Sequence, residues 1–392
     1  MNVQLRPALL IAPLALFLLL TFLVPITALL TRAVVDTDVA EILPQVSARM
    51  RHWDGRALPG EATFAALADD LRAARASGRL APAATRLNYD VSGYRSLLFA
   101  TARRLPEGAL QPSARAALVA VDARWAALDT WAALHRASGP TTSLFALAAL
   151  DLRSAPDGRI VSAPVDQAVF VPILGRTLAI AGGVTLVCLL LGYPLAYLLA
   201  SLPERTANLL MVCVLLPFWV SLLVRTTAWV VLLQREGVIN AALLQAGVLT
   251  EPLTLLYTRA AVYAAMVHVL LPFLVLPLYA VMKTIAPTHV RAAASLGAAP
   301  WTAFRRVYLP QTLPGVGAGA LMVFIQALGY YITPALVGGA GDQMVSYFIA
   351  FYATKTINWG MAAALSLLLL LATTLLYAVH ARLVGVDRVR TA

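Results

Sequence analysis

The chain has 392 residues, of which 60% are hydrophobic and 12% are charged. Soluble globular proteins carry roughly 25% charged residues, so the composition excludes an ordinary soluble domain and indicates a protein whose environment is the lipid bilayer. The formal net charge of +11 does not indicate a nucleic acid partner, because the surplus Arg and Lys residues are scattered at the ends of apolar segments, where membrane proteins place orienting charge.

Six apolar runs are long enough to cross a bilayer, which takes about 20 helical residues. They cover residues 7–31, 177–203, 206–234, 260–282, 307–341 and 356–381. The third run is interrupted only by Arg225, and the fifth is longer than one span, so part of it must be loop. We predict an all-α membrane protein with six transmembrane helices. The first helix is expected to be retained, because its apolar core is too long for a signal peptide.

Residues 36–170 lie between the first two runs and differ from them in composition. They hold 15 Arg and 14 Asp or Glu residues, so this region is close to neutral. In the segment ATFAALADDLRAARA, Phe64, Leu67 and Leu71 fall on one helical face with the charges opposite. We therefore predict a helical insert after the first helix. Two roles stay open for it: contact with a soluble partner outside the membrane, or a structural addition without a partner.

The basic residues of the short loops predict the orientation of the chain. If the amino terminus is cytoplasmic, the short inner loops hold Arg6, Arg205, Lys283, Arg291, Arg305, Arg306, Arg382, Arg388 and Arg390. The short outer loops then hold only Arg235, Arg259 and Lys355. Because Lys and Arg are enriched in cytoplasmic loops, we predict that both termini are cytoplasmic and that the insert is extracytoplasmic.

Residues 287–314, PTHVRAAASLGAAPWTAFRRVYLPQTLP, form a basic, amphipathic segment between two apolar runs, here named the elbow passage. Pro287 suits the first turn of a short helix. Gly297 suits its end, because glycine adopts the left-handed conformation without a side-chain clash. A second helix is expected to start at Pro300 and to end at Leu309 and Pro310. The sequence thus predicts two short helices that meet at a glycine.

The elbow passage carries the pattern A-A-x-x-x-G followed, after nine residues, by an aliphatic residue, any residue and Leu-Pro, at Ala292, Ala293, Gly297, Val307, Leu309 and Pro310. This pattern resembles the EAA loop of binding-protein-dependent ABC importer permeases. In that family the loop sits in a groove of the cytoplasmic ATPase. The resemblance implies the same contact for these residues and for Arg291, Trp301 and Arg305. The glutamate that names the motif would fall at position 291, where this chain has Arg291.

Further segments carry the same resemblance in the same order. They are LLGYPLAYLLA at 190–200, LLPFWVSLLVRTTAWVVLL at 215–233, MVHVLLPFLVLPLY at 266–279, ALGYYITPALVGG at 327–339 and NWGMAAALS at 358–366. These segments are similar to the polyamine (spermidine/putrescine) branch of the permeases.

The resemblance implies the type I ABC importer permease fold. The first transmembrane helix would lie within residues 1–35, the extracytoplasmic insert within 36–170, and a core of five transmembrane helices within 171–392, including a cytoplasmic coupling loop at 284–312. The chain would form half of the pathway for a small polar or cationic solute, with spermidine and putrescine as candidates. Its implied partners in a bacterial inner membrane are ABC ATPase subunits, a second permease subunit and an extracytoplasmic solute-binding protein.

The sequence contains no P-loop, whose signature is G-x-x-x-x-G-K-[ST]. The two lysines, Lys283 and Lys355, are each followed by Thr, but Met282 and Thr354 precede them instead of Gly. We therefore expect a transport subunit rather than an enzyme, with no cofactor or metal bound by this chain. ATP and Mg would bind to the partner ATPase.

The candidate pathway residues are polar or aromatic side chains of the apolar runs, namely Tyr193, Tyr197, Trp219, Arg225, Trp229, Tyr330, Tyr331 and Thr333. The ammonium groups of a polyamine need carboxylates or aromatic faces, and no acidic residue outside the insert lies clearly within a span. Arg225 is either a functional charge or a side chain that extends to the outer interface. His268 is interpreted as a hydrogen-bonded residue of helix packing rather than a proton relay, since no acidic residue accompanies it.

Two other classes of function remain open. An ion-coupled secondary transporter would work without an ATPase, but the acidic residues within spans and the repeated broken helix expected of it are absent from the sequence. A membrane-anchored sensor or scaffold would carry its working part in the insert, although six kinked spans exceed what an anchor needs.

Overall fold

The computed structural model describes residues 5–108, 110–155 and 158–384. The chain divides into two compact units, Met1–Val171 with Tyr352–Leu367, and Pro172–Phe351 with Leu368–Ala392. Tyr352–Leu367 lies within the predicted core at 171–392 and is grouped here with the first unit. Apolar runs cannot reveal such a grouping, because it depends on contacts between residues far apart in the sequence. Arg388 and Arg390, which contributed to the predicted orientation, lie outside the described residues.

The first unit begins with a long apolar helix. It consists of α1 (Leu5–Leu18), a π-helical turn (Leu19–Leu23) and α2 (Val24–Thr31). The span Ile11–Thr31 has a mean hydropathy of 2.5 and is 0% buried by the rest of the chain. Soluble proteins rarely expose so large an apolar surface, so lipid is the expected neighbour of this helix.

The rest of the first unit is built mainly from short helices. They are α3 (Asp38–Ile42), α4 (Pro44–Met50), α5 (Glu61–Ala76), α6 (Leu80–Asp90), α7 (Tyr94–Arg104), α8 (Ala114–Val121), α9 (Leu128–Ala137) and α10 (Leu144–Ala149). A two-stranded antiparallel sheet follows, in which β1 (Leu152–Ser154) pairs with β2 (Ile160–Ser162). The sequence predicted helices alone, because strands of three residues are too short to show a period of two.

The insert has its own hydrophobic core. Phe64, Leu67 and Leu71 are buried on α5, as their spacing predicted. The ring of Trp131 packs against that of Phe64 with 4.5 Å between the centroids. The indole N–H of Trp131 donates to the carbonyl of Trp125 at 2.9 Å, so the polar end of this buried side chain is satisfied. This part of the chain is therefore a folded helical domain.

The helices that follow are long and apolar for the most part. They are α11 (Phe170–Ser201), α12 (Glu204–Trp219), α13 (Leu222–Leu233), α14 (Val238–Gln245), α15 (Arg259–Thr284), α16 (Pro287–Ser295), α17 (Pro300–Ala303), α18 (Leu309–Gly329), α19 (Ile332–Val337), α20 (Val345–Thr354) and α21 (Trp359–Val384). A π-helical turn, Phe304–Tyr308, joins α17 to α18.

The helix α11 begins seven residues before the apolar run that predicted it, at Phe170 rather than at residue 177. The carboxylate of Asp151 accepts hydrogen bonds from the backbone N–H groups of Phe170 at 2.9 Å and Val171 at 2.8 Å. A carboxylate at this position satisfies free N–H groups of the first turn and interacts favourably with the helix dipole. This cap explains the earlier start.

Five described helical segments are long and apolar enough to cross a membrane: Ile11–Thr31, Phe170–Ser201, Arg259–Thr284, Pro300–Gly329 and Trp359–Arg382. A sixth candidate is a broken pair, Glu204–Trp219 and Leu222–Gln245, bent by 96°. The predicted number of six spans is reached when this pair counts as one. The third span is not the continuous helix that was expected between residues 206 and 234.

The break in the third span falls at Val220 and Ser221. Both residues have extended ψ angles, 137° and 141°. Pro217 lies within the last turn of α12, and a proline removes one backbone hydrogen bond of a helix and clashes with the preceding turn. Ser221 is the residue before the first turn of α13, and its side chain makes no capping hydrogen bond. Hydropathy alone treats the whole run as one segment and does not reveal the break.

The helices α15 and α18 pack closely through two glycines one turn apart. A Cβ atom added to Gly319 would lie 2.9 Å from the carbonyl oxygen of Leu274, and one added to Gly315 would lie 3.2 Å from the Cα of Leu278. In membranes, small residues four positions apart allow two helix backbones to approach. This contact between α15 and α18 lies at the centre of the second unit.

Candidate coupling site and solute pathway

The elbow passage has the backbone conformation that its sequence predicted. The helix α16 ends at Ser295, and Gly297 has a φ of +84°. The N–H of Gly297 donates to the carbonyl of Ala294 at 2.9 Å, and the N–H of Ala298 donates to that of Ala293 at 3.0 Å. These bonds satisfy the last carbonyls of the helix. The space around Gly297 is open, because no atom lies within 4 Å of a Cβ added there.

The surface on either side of Gly297 exposes large apolar side chains. Leu296 is 89% exposed and Trp301 is 68% exposed. The exposed residues around them include Arg291, Ala292, Arg305 and Arg306, and residues 287–314 contain no Asp or Glu. The elbow passage thus presents an apolar tip within a basic surround.

The second half of the elbow passage does not end at Leu309 and Pro310 as predicted. Helical structure continues from Pro300 through a π-helical turn and Pro310 to Gly329. In the wide turn, the N–H of Leu309 donates to the carbonyl of Phe304, five residues back. Pro310 has no backbone N–H to donate within the helix. The π-helical turn beside it changes which N–H groups pair with the carbonyls that the proline would leave unpaired. The Leu-Pro signal therefore marks a π-helical turn within a helix.

Tyr193 and Tyr197, two of the candidate pathway residues, lie beside the elbow passage. The ring of Tyr197 contacts those of Phe304 and Tyr308, with 6.1 Å and 5.4 Å between centroids. Tyr193 also contacts Phe304 edge to face, and its hydroxyl lies 3.2 Å from the hydroxyl of Thr312. These two tyrosines therefore connect α11 with the start of α18.

A second group of side chains forms a polar cluster within the spans. Trp229 on α13 donates through its indole N–H to Nδ1 of His268 on α15 at 3.3 Å. Arg225, one turn before Trp229, is within electrostatic range of His268 and of Tyr330. The Nε atom of Arg225 is buried and has no hydrogen-bond partner in the described structure. We name Arg225, Trp229, His268 and Tyr330 the donor cluster, because their N–H and O–H groups dominate it.

The remaining pathway candidates lie near this cluster or on exposed surface. Thr333 is buried, and its hydroxyl lies 3.3 Å from that of Thr226 on α13. Trp219 and Tyr331 are exposed. His268, expected to be a hydrogen-bonded residue of helix packing, accepts a hydrogen bond from Trp229. Neither hydropathy nor spacing could pair them, because they stand on helices separated by about 40 residues.

The carboxylate of Asp342 is engaged elsewhere in the second unit. It accepts a hydrogen bond from Nε of Arg259 at 2.8 Å, and its side chain is 10% exposed. Among the residues that the structure describes, no group of three or more His, Cys, Asp or Glu side chains is placed to hold a metal ion. The donor cluster contains no carboxylate of its own.

The helices define a multi-pass membrane protein with an exposed two-helix elbow and a polar cluster within its spans. Residues 192–385 match the family described as binding-protein-dependent transport system inner membrane component. The spermidine/putrescine transport system permease protein PotB of Haemophilus influenzae is 35% identical over 213 residues, which are 54% of this chain and 74% of PotB. The inner membrane ABC transporter permease protein YdcU of Escherichia coli is 34% identical over 233 residues, covering 55% and 72% of the two chains.

The chain therefore belongs to the family of binding-protein-dependent transport system inner membrane components. It is a permease subunit of an ABC importer, in the polyamine branch of the family, and a multi-pass protein of the inner membrane. The resemblance drawn from the sequence motifs is confirmed. Among solved structures, a bacterial alginate ABC transporter in complex with an alginate pentasaccharide-bound periplasmic protein gives a TM-score of 0.46 at 18% identity, over 55% of this chain and 80% of that chain.

Proposed function

We propose that this chain forms half of the pathway of an ATP-driven importer and docks a cytoplasmic ATPase subunit through the elbow passage. A second permease subunit would supply the other half, and an extracytoplasmic binding protein would deliver the solute. ATP and Mg bind to the ATPase in this proposal, because the chain has no P-loop.

The observation that carries this proposal is the exposed apolar tip of the elbow passage in a chain of the permease family. Leu296 and Trp301 are among the most exposed large apolar residues of the described chain. Large apolar side chains that stay exposed five residues apart in a basic segment suit an interaction with a partner protein. The left-handed conformation at Gly297 holds the two side chains on a defined turn, so a partner meets a preformed surface.

The proposal includes an orientation with the elbow passage and both termini in the cytoplasm and the insert outside. The carboxyl-terminal ends of α11 and α15 lie beside the elbow passage, because Tyr197, Ser201, Met282 and Ile285 line one cavity with Pro287. Arg205 follows the end of α11, and Lys283 lies in the last turn of α15. Both are therefore on the side of Arg291. Basic residues collect on the cytoplasmic side of membrane proteins.

The solute in this proposal is small and polar, and spermidine and putrescine are the first to assay. The relative PotB is named for these two polyamines. The rings of Trp229 and Tyr330 offer faces to an ammonium group. Because Arg225 adds a positive charge to the donor cluster, the carboxylates that neutralise a polyamine would come from the second permease or from the binding protein.

Copurification from membranes tests this function. We compare the wild-type chain, a deletion of residues 288–309, the double variant Leu296→Ala/Trp301→Ala, and the control variant Leu375→Ala, which truncates an exposed leucine of α21 outside the elbow passage. A P-loop ATPase is expected with the wild type and the control, and is expected to be lost from the deletion and the double variant. An ATPase that stays with the deletion contradicts docking at the elbow passage. Recovery of no ATPase with any of the four favours the ion-coupled carrier.

A further inference from the structure

Gln311 joins the two halves of the elbow passage through both ends of its side-chain amide. Its Nε2 donates to the carbonyl of Val307 at 2.6 Å. Its Oε1 lies 2.9 Å from Nδ1 of His289, which stands on α16. Gln311 is half-buried at the start of α18, whereas His289 is exposed. The amide therefore bridges an exposed short helix and a long membrane helix.

The direction of each hydrogen bond follows from the chemistry of the groups. A backbone carbonyl only accepts, so the amide nitrogen of Gln311 must face Val307 and the amide oxygen must face His289. Nδ1 of His289 is then the donor. This N–H is present in one neutral tautomer and in the imidazolium form, so the bond does not depend on the charge of His289.

The bridge falls where the backbone ladder of α18 is disturbed. Pro310 contributes no N–H, and the π-helical turn Phe304–Tyr308 shifts the pairing by one residue. The side chain of Gln311 supplies a donor to a carbonyl of that turn. It stabilises the wide turn and anchors α16 to it at the same time.

On its opposite side, α16 is loosely packed. Pro287, Val290 and Arg291 line a half-open cavity of about 510 Å³ together with Phe304 and Tyr308. Of the side-chain hydrogen bonds described for residues 287–297, the bond from His289 to Gln311 is the one that reaches another helix. Without it, α16 has room to tilt into the cavity independently of α18.

We propose that His289 and Gln311 are a positioning pair that ties α16 to α18, so that a displacement of α16 is transmitted to the membrane helix rather than absorbed in the cavity. This inference rests on the proposed function, because the ATPase would supply the displacement. Two claims are tested separately: that an ATPase acts on α16, and that His289 and Gln311 pass the motion on to α18.

Amide hydrogen exchange tests the pair in the full chain, in lipid nanodiscs, without any partner. His289→Ala and Gln311→Ala each remove the bridge, and His289→Asn keeps a donor close to the position of Nδ1. We expect the amides of residues 289–297 to exchange about fivefold faster in both alanine variants, the factor that corresponds to one neutral hydrogen bond. The asparagine variant and the control Thr288→Ala, an exposed neighbour on α16, should match the wild type. Unchanged exchange in the alanine variants contradicts the pair.

Transmission is tested in the complex with the copurified ATPase. Gln326→Cys places a thiol on an exposed residue in the last turn of α18, in a Cys213→Ser background that removes the exposed native cysteine. Trapping with ATP and vanadate should change the rate of thiol labelling in the wild-type elbow passage and leave it unchanged in His289→Ala, while ATP hydrolysis continues. A full response in His289→Ala contradicts the transmitting role. Absence of an ATPase contradicts the proposed function and this role together, whereas the exchange result stands by itself.

Discussion

The indole N–H of Trp229 points at Nδ1 of His268, 3.3 Å away, and the two rings meet edge to face with 5.8 Å between their centroids. Because Nδ1 accepts this bond, a neutral His268 carries its proton on Nε2. The contact joins α13 to α15 beside Arg225. The Nε2–H of His268 is then a hydrogen-bond donor in a part of the chain that hydropathy describes as uniformly apolar.

Trp229→Phe keeps an aromatic ring and removes the donor to His268. We expect uptake of labelled spermidine into membrane vesicles to fall about threefold to fivefold, because one hydrogen bond within the donor cluster is lost. Trp229→Ala should lower uptake further, and the ATPase should copurify with both. The control is Trp359→Phe, since Trp359 is 48% exposed at the start of α21 and is not a pathway candidate. Uptake at the wild-type level in Trp229→Phe would show that this hydrogen bond does not contribute to the solute pathway.

Gly297 offers a test of conformation without steric crowding. Its φ of +84° disfavours residues with a Cβ by about 1–2 kcal/mol, while the space around it is open. We expect Gly297→Asn to be mild, Gly297→Ala intermediate and Gly297→Val severe, because asparagine tolerates the left-handed region and β-branched residues do not. The measurement is the amount of ATP hydrolysed per solute imported, which should rise in that order although all three variants insert into the membrane. Equal coupling in Gly297→Val and the wild type would show that the turn is dispensable.

Gly319→Ala tests the close approach of α15 and α18. The added methyl group would lie 2.9 Å from the carbonyl oxygen of Leu274, and forcing extra volume into a packed interface costs about 1–3 kcal/mol. We expect a lower unfolding temperature in detergent. The matched control is Gly329→Ala on the same helix, where no atom lies within 4 Å of the added Cβ. The account of this interface is wrong if both variants unfold at the same temperature as the wild type.

The sequence predicted the features that depend on local patterns. Glycine chemistry placed the left-handed turn at Gly297, and the spacing of Phe64, Leu67 and Leu71 identified the buried face of α5. The break at Ser221 and the continuation of the helix through Pro310 were not predicted, because each depends on how a proline is accommodated in three dimensions.

The sites were predicted only in part, for a related reason. The motif located the elbow passage along the chain, but not the hydrogen bonds that tie its two halves together. The contact of Trp229 with His268 and the position of Tyr197 beside Phe304 arise between separate helices. Residues on different helices that face each other leave no periodic signal in a single sequence.

The carboxyl group of Asp70 predicts a pH dependence of the insert. Asp70 is buried and accepts a hydrogen bond from the N–H of Val46 at 2.8 Å. Burial raises the pKa of this carboxyl above its ordinary value, because desolvation disfavours the charged form. The folded state therefore holds the proton more tightly than the unfolded state. Its contribution to stability is fully present below the unfolded pKa and is lost as the pH rises through the folded pKa.

Asp70→Asn should flatten this pH dependence, because the amide keeps an acceptor for Val46 and carries no charge. We expect the insert to unfold at a temperature a few degrees higher than in the wild type at neutral pH. Near pH 4 the difference should be smaller. The fluorescence of the buried residues Trp125 and Trp131 reports unfolding in the full chain. Glu107→Gln, which removes an exposed carboxylate elsewhere in the insert, should leave the pH dependence of the unfolding temperature unchanged. The same pH dependence in Asp70→Asn and the wild type contradicts the role given to Asp70.

Transport in proteoliposomes tests the central claim most directly. The chain is purified with the subunits that copurify, reconstituted with its binding protein, and supplied with labelled spermidine outside and either ATP inside or an imposed ion gradient. We expect accumulation of spermidine that requires ATP, persists when proton and sodium gradients are dissipated, and is abolished by deletion of residues 288–309. Accumulation by the chain alone, driven by an ion gradient without ATP, would contradict it.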